Sequence, residues 1–129
     1  MSRSLKMGLV ARALWHIVRY DLINGAFGFK RVHRTVLKQK VQNPQESAEL
    51  QAVICDAVAI ASCFYWRPVL CLQRSFAATV LLRKYGIDAS LVIGYRPAPF
   101  FSHAWVEVND RVVNDSPAYK ERLQVLCTV

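Results

Sequence analysis

Three residues in the second half of the chain have the side chains that nucleophilic acyl transfer requires. Cys71 follows a break at Arg67-Pro68 and opens a helical pattern, whereas His103 and Asp115 lie in two consecutive strand-like segments. In such chemistry a thiolate attacks a carbonyl, an imidazole moves the proton, and a carboxylate orients the imidazole. We therefore predict Cys71 as the nucleophile, His103 as the general base and Asp115 as the orienting acid.

The position of Cys71 matters, because cysteine is also among the residue types most often buried in protein cores. At the first turn of a helix, unpaired N–H groups and the positive end of the helix dipole stabilise a thiolate. The backbone N–H of Cys71 can also donate to the oxyanion that forms during the reaction. For Arg74 and Ser75, in the same turn, we expect structural roles.

The choice of carboxylate leads to a prediction about the hairpin that follows His103. Glu107 shares the face of His103 but lies about 13 Å along the strand, at ~3.3 Å per residue, and is therefore too far away. A two-residue turn after Val108 would place Asp115 opposite Ala104, on the other face of the sheet. A three-residue loop, Val108 to Asp110, with Asp110 in the left-handed conformation, would pair His103 with Asp115 directly. The triad hypothesis therefore predicts the three-residue loop.

The patterning of the whole chain predicts an α+β fold, with N-terminal helices, a buried helix opening at Cys71, and a small antiparallel β-sheet. The helices are expected over residues 4–23, 29–40, 44–65 and 71–85, and the strands over 89–95, 101–108 and 111–115. Pro44 is expected in the first turn of the third helix, and Gly86 just after the fourth. In the second strand, Ala104, Val106 and Val108 are expected to face the core, and His103 the opposite side.

Length and composition indicate a single folded domain over residues 1–129, since 53% of the residues are hydrophobic. We expect residues 1–43 to form a basic helical N-terminal segment and residues 44–129 the catalytic core. No Cys-x-x-Cys pair or acidic cluster suits a metal, and we predict neither a metal nor a cofactor. No signal peptide and no apolar run that could span a membrane is present, so we expect a cytoplasmic protein.

The net charge of +8 is concentrated at the N-terminus. Residues 1–40 contain nine of the 17 Lys and Arg residues and one of the nine Asp and Glu residues. Such a segment can bind nucleic acid or an anionic membrane, but no nucleic-acid-binding motif accompanies it. A solvated helix face, or a docking surface for an acidic protein, is the favoured interpretation. His16 and His33 are expected to be structural.

Several motifs between about Trp66 and Asp115 resemble the lasso-peptide leader peptidases, which are transglutaminase-like cysteine peptidases. They are Cys71-Leu72-Gln73-Arg74-Ser75, Leu81-Leu82-Arg83-Lys84-Tyr85-Gly86-Ile87, Leu91-Val92-Ile93-Gly94-Tyr95-Arg96, Pro99-Phe100 and His103-Ala104-Trp105-Val106-Glu107-Val108. The nucleophile, base and acid of that family correspond to Cys71, His103 and Asp115. The family usually has glycine at the hairpin position of Asp110. Over residues 1–60 the similarity is one of composition only.

The resemblance implies a transglutaminase-like, papain-like core and removal of the leader from a ribosomally made precursor peptide. The core peptide would then pass to an ATP-dependent macrolactam cyclase. The chain is too short for a fused leader-binding domain, so the resemblance implies a separate leader-recognition protein. Two alternatives remain open: an acyltransferase or amidase that uses the same triad, and a non-enzymatic basic adaptor for nucleic acid or membrane.

Overall fold

The computed structural model of the protein describes residues 3–41, 44–45 and 47–129, and it confirms the α+β fold. The helices and strands are α1 (Arg3–Phe27), α2 (Phe29–Lys38), α3 (Ala48–Phe64), α4 (Cys71–Lys84), β1 (Ala89–Pro97), β2 (Phe100–Val108), β3 (Arg111–Val112), α5 (Ala118–Arg122) and β4 (Gln124–Thr128). The strands pair in the order β3-β2-β1-β4, and each pair is antiparallel.

The helix boundaries agree with the sequence to within two residues, except that α1 continues beyond the predicted end at residue 23 to Phe27 and that α3 starts later than predicted. Pro44 precedes that helix, which begins at Ala48 because Ser47 caps it: the Ser47 hydroxyl accepts a hydrogen bond from the Leu50 N–H at 3.2 Å. Gly86 follows α4 with φ of 83°, as predicted, because this left-handed conformation suits glycine. Two residues of the predicted helix start, Asn43 and Glu46, lie outside the described residues.

Helix α4 lies at the centre of the protein. Every residue from Phe76 to Leu82 is buried, because α1 and α3 cover one side of the helix and the sheet covers the other. The sheet contributes the small apolar side chains of β2 that were expected to face the core: Ala104, Val106 and Val108. Helix α1 belongs to the same core through its buried residues Leu9, Ala13 and Ile17. The start of α4, and with it Cys71, is therefore fixed against both layers.

The β2–β3 hairpin differs from the prediction. Its turn contains two residues, Asn109 and Asp110, with φ of 52° and 63°, and it pairs Val108 with Arg111. A two-residue hairpin turn that matches the twist of its strands needs two successive residues in the left-handed conformation. Asn and Asp tolerate that conformation better than most other residues. The predicted three-residue loop is thus wrong, although Asp110 is left-handed as expected. Strand β3 also ends at Val112, three residues earlier than predicted.

The sequence gave no prediction for residues 116–129, which contain α5 and β4. Strand β4 adds to the free edge of β1, and Leu123 and Tyr119 pack with Trp105 and Val92 on the sheet face that points away from the helices. Both elements have only five residues, which is too short for a clear periodicity. Helix α5 and the following Leu123 thus cover the face of the sheet on which His103 lies, whereas β4 extends the sheet at its edge.

The Arg83 guanidinium joins the ends of several elements. It donates hydrogen bonds of 2.6 to 2.9 Å to four backbone carbonyl groups, those of Val36, Gln39, Ala89 and Val129. These carbonyls belong to the end of α2, the start of β1 and the last residue of the chain, so one side chain closes this side of the domain. Among the helices that the structure describes, none is long and apolar enough to cross a membrane.

Candidate active site

Cys71 is the first residue of α4, as the sequence predicted. Leu70 precedes it in an extended conformation and provides no side-chain cap. The first N–H group that returns to the helix start is that of Arg74, which donates to the Leu70 carbonyl at 2.9 Å. The N–H groups of residues 71–73 therefore have no acceptor within the helix, and they are available to a negative charge at its start. A thiolate and an oxyanion both benefit from this position.

His103 and Asp115 are joined by a hydrogen bond. Nε2 of His103 lies 2.7 Å from Oδ2 of Asp115, and both side chains are largely buried, with 12% and 19% of their surfaces exposed. A carboxylate on Nε2 fixes the ring orientation and leaves Nδ1 as the nitrogen that can exchange a proton with a substrate or a thiol. The structure thus brings together the His103 and Asp115 side chains that the sequence predicted as partners, although the predicted hairpin register was wrong.

Asp115 reaches His103 because the chain leaves the sheet before Asp115. The Val113 N–H still donates to the Val106 carbonyl at 3.0 Å, as the two-residue turn requires. In a regular antiparallel ladder, the Val106 N–H would donate to a backbone carbonyl of the returning strand. Here it donates to the side-chain oxygen of Asn114 instead, at 2.8 Å. The strand therefore ends at this point, and Asp115 is not held opposite Ala104.

Two contacts attach this turn to the helix that Cys71 opens. Nδ2 of Asn114 donates to the hydroxyl of Ser75 at 3.3 Å, and the Arg74 guanidinium lies 3.5 Å from Oδ2 of Asp115. Arg74 is one helical turn after Cys71, so the carboxylate lies beside the first turn of α4. These are structural roles, as expected for Arg74 and Ser75. Within the described residues, the His103 ring is hydrogen-bonded to Asp115 and not to the Cys71 thiol.

Sequence analysis did not find Tyr119, which packs against the catalytic candidate His103. The two ring centroids are 3.9 Å apart with an interplanar angle of 26°. Phe101 lies near both rings, at 6.2 Å from His103 and 6.3 Å from Tyr119. The imidazole is therefore held by stacking in addition to its bond with Asp115. The available signal was Ser116-Pro117, a typical helix start, ahead of α5.

Glu107, excluded above as the orienting acid, holds α5 in place. Its Oε1 lies 3.2 Å from Nζ of Lys120, and its Oε2 accepts a hydrogen bond of 2.7 Å from the Trp105 indole. Nζ of Lys120 also donates to the carbonyl oxygen of Asp110 at 2.5 Å. Because Lys120 follows Tyr119 directly, these contacts fix the ring that packs on His103.

The other histidines and cysteines have different surroundings. Burial, together with the nearby charges of Lys84 and Arg19, lowers the pKa of His16 from 6.5 to about 4. Burial and the charge of Asp56 raise the pKa of the Cys55 thiol to about 11. The other cysteines include Cys63, which is exposed. Among the described residues, no group of three or more His, Cys, Asp or Glu side chains could hold a metal ion.

Comparisons with known proteins show the family to which the chain belongs. The microcin J25-processing protein McjB of Escherichia coli is 46% identical over 59 residues, which are 46% of this chain and 28% of that protein. The chain therefore matches well under half the length of this relative. No solved structure gives a significant match. A family model described as the transglutaminase-like superfamily matches residues 15–128, which is most of the chain and includes all three site residues. The protein thus belongs to the transglutaminase-like superfamily.

Proposed function

We propose that the protein is a cysteine peptidase that removes the leader from a lasso-peptide precursor before macrolactam closure. The observation that carries this proposal is the 2.7 Å bond between His103 and Asp115, next to a helix that begins with Cys71. The name of the E. coli relative, a microcin-processing protein, supports a peptide substrate. Membership of the transglutaminase-like superfamily supports thiol chemistry.

In the proposed mechanism the thiol proton of Cys71 moves to Nδ1 of His103, and the thiolate attacks the carbonyl carbon of the scissile bond. The Cys71 N–H, at the start of α4, donates to the resulting oxyanion. His103 then gives the proton to the leaving amine, which is the new N-terminus of the core peptide. A thioester between Cys71 and the leader remains, and a water molecule deprotonated by His103 hydrolyses it to the free leader acid.

Asp115 has a positioning role in this proposal. Its bond to Nε2 keeps the proton on that nitrogen in the neutral ring, so that Nδ1 can accept the thiol proton. It also stabilises the imidazolium that forms during the attack. The Arg74 guanidinium lies 3.5 Å from the same carboxylate oxygen and holds the side chain of Asp115 beside the first turn of α4.

The setting of the reaction is part of the same proposal. A separate leader-recognition protein would present the precursor, residues 1–43 would provide the docking segment, and residues 44–129 would provide the catalytic core. An ATP-dependent cyclase would use the released core peptide, which places the protein in the cytoplasm. The enzyme itself needs no cofactor in this scheme, because each step uses only the thiol, the imidazole and water.

The reactivity of the thiols tests the site without a substrate. Site-resolved iodoacetamide labelling at pH 7 should modify Cys71 faster than the exposed Cys63, which serves as an internal standard. Cys55 should stay unmodified, since burial raises its pKa to about 11. The advantage of Cys71 over Cys63 should disappear in His103→Ala and persist in the control His33→Ala. Equal labelling of Cys71 in both variants would contradict a thiol–imidazole site.

Cleavage tests the reaction. The precursor peptide and the leader-recognition protein are incubated with the enzyme, and the products are identified by mass spectrometry. Wild type and the control Cys63→Ala should release the leader with a free carboxyl terminus, Cys71→Ala should be inactive, and Asp115→Asn should be slower by roughly 10²- to 10⁴-fold. Cleavage by Cys71→Ala at the wild-type rate would overturn the proposal.

The superfamily also favours one second candidate, transfer of the acyl group to an amine. The thioester would be the same, but the product would contain a new amide bond instead of a free acid. Adding a small primary amine to the cleavage reaction separates the two, because an acyltransferase would give the amide as its main product. An inert Cys71 combined with strongly salt-dependent binding of nucleic acid or vesicles would instead indicate a basic adaptor.

A further inference from the structure

A groove on the N-terminal helices contains a high density of unpaired positive charge. It has a volume of about 490 Å³ and lies between α1, α2 and the end of α4. The described residues that line it include five cations and no carboxylate: Arg19, Arg31, Arg34, Lys38 and Lys84. Within the described part of the chain, none of the five belongs to an ion pair. Asp21, the acidic residue of α1, pairs with Arg67 instead, at 2.5 Å.

A second cavity of about 570 Å³ adjoins this groove and shares two of its lining residues, Trp15 and Lys84. Its lining includes His16, which is 2% exposed and whose Nδ1 has no hydrogen-bond partner among the described residues. Trp15, with 55% of its surface exposed, forms a wall between the two cavities. With Arg12 and Tyr85 from the second cavity, the combined surface offers six cations, two aromatic rings and an unused buried nitrogen, which is the composition of a binding site for an anionic chain.

The groove lies at the opposite end of α4 from the proposed nucleophile. Cys71 begins the helix and Lys84 ends it, so about 20 Å of helix separates them at ~1.5 Å per residue. An extended polypeptide spans that distance with about six residues, at ~3.3 Å each. Because α4 is buried and a peptide must follow the protein surface, one that reaches both the groove and the catalytic site needs at least this many residues between them.

We propose that this groove binds an acidic stretch of the peptide substrate, at least about six residues away from the bond that Cys71 attacks. This inference rests on the proposed function for the identity of the chain, and on the unpaired cations for its charge. Binding at a remote groove supplies affinity without contacts at the scissile bond, which gives a small enzyme selectivity for its substrate. A polypeptide is favoured over a nucleic acid because the reaction at the other end of α4 acts on a peptide.

Binding is tested with a protein that cannot cleave. The Cys71→Ala variant is titrated into a fluorescein-labelled peptide of six Glu-Ser repeats, with six Gln-Ser repeats as the uncharged control. The Glu peptide should bind and the Gln peptide should not. The groove variant Arg34→Glu/Lys38→Glu should weaken binding by roughly tenfold or more, whereas Arg3→Glu/Lys6→Glu, with the same change in net charge, should weaken it about twofold at most. Equal losses in the two variants would overturn the proposal, because they would indicate a diffuse charge effect.

The position of the peptide has its own readout. Addition of the Glu peptide should shift the indole N–H resonance of Trp15, assigned with Trp15→Phe, and the Gln peptide should leave it unchanged. A labelled single-stranded oligonucleotide and anionic vesicles are tested in parallel. Tighter binding of either one than of the Glu peptide, lost in the groove variant and kept in the control, would overturn the peptide assignment.

Cleavage separates this proposal from the proposed function. With an acidic block placed six or more residues from the scissile bond, kcat/KM should exceed that of the Gln-substituted substrate in wild type but not in the groove variant. Charge-dependent binding without any cleavage would contradict the peptidase and leave the groove assignment standing. Cleavage of both substrates at equal kcat/KM would overturn the groove and leave the peptidase standing.

Discussion

Replacement of Asn114 by alanine should break the hydrogen bond between His103 and Asp115, although Asn114 takes no part in the proposed chemistry. Its side-chain oxygen accepts the N–H of Val106, a fully buried residue, and its Nδ2 donates to Ser75. Without Asn114 the chain can continue the β3 ladder, which would place Asp115 opposite Ala104, on the sheet face away from His103.

The size of the effect follows from these two bonds. A buried N–H without an acceptor costs about 1–3 kcal/mol, and the loss of the bond to Ser75 adds roughly 0.5–1 kcal/mol. We therefore expect Asn114→Ala to lower the free energy of unfolding by about 1.5–4 kcal/mol where the Val106 N–H stays unpaired, and by less where the β3 ladder continues and supplies its acceptor. Ser75→Ala removes only the second bond and should cost less. The exposed helical Asn24→Ala should be neutral or slightly stabilising, because alanine has the higher helix propensity.

Urea unfolding measures the stability, and proton NMR of the His103 Nε2–H signal measures the bond to Asp115. In Asn114→Ala the signal should be lost or broadened by exchange with water, and cleavage should fall toward the level of Asp115→Asn. An Asn114→Ala protein that keeps its stability within about 0.5 kcal/mol, and keeps the His103 signal, would refute the explanation of how Asp115 reaches the imidazole.

Three further predictions concern the surroundings of the site and the core. Tyr119→Ala should slow cleavage by about 2- to 12-fold, the equivalent of 0.5–1.5 kcal/mol of stacking on His103, and should increase hydrogen exchange at Nε2 with little change in KM. His16 is neutral in the folded protein because its pKa is lowered from 6.5 to about 4. The unfolded state therefore binds an extra proton, and stability falls as the pH drops below about 6.5. At pH 5 the loss is about 2 kcal/mol, measured as the part of the pH dependence of urea unfolding that disappears in His16→Gln. Gly94→Ala should destabilise by about 1–3 kcal/mol in thermal or urea unfolding, because its Cβ would lie 2.6 Å from Cη2 of Trp105, whereas Gly25→Ala, with open space around it in α1, should stabilise. Stabilisation by both glycine substitutions, a rate unchanged in Tyr119→Ala, or identical pH curves for wild type and His16→Gln would contradict the respective explanations.

The sequence predicted the helices, the two long strands and the faces of β2. Hydrophobic periodicity extends over many residues in each of them, so errors at single positions do not change the assignment. The end of α4 was also predicted correctly, because glycine has no side chain to hinder the left-handed conformation that Gly86 adopts there. The start of α3 was wrong because Ser47 and Pro44 are both good start residues, and the pattern alone does not choose between them.

The sequence alone predicted a site made of Cys71, His103 and Asp115, because the residue types and the resemblance of their motifs indicate acyl-transfer chemistry without coordinates. Only the tertiary structure decided how the carboxylate reaches the imidazole. The prediction assumed that strand pairing continues to Asp115, whereas the Asn114 side chain replaces a ladder bond and ends the strand at a point set by Ser75 on another element. Tyr119 and the basic groove depend on the same kind of contact, between residues far apart in the chain. Periodicity and spacing report on neighbours along the chain, so contacts of this kind are fixed by packing and become visible only in the folded protein.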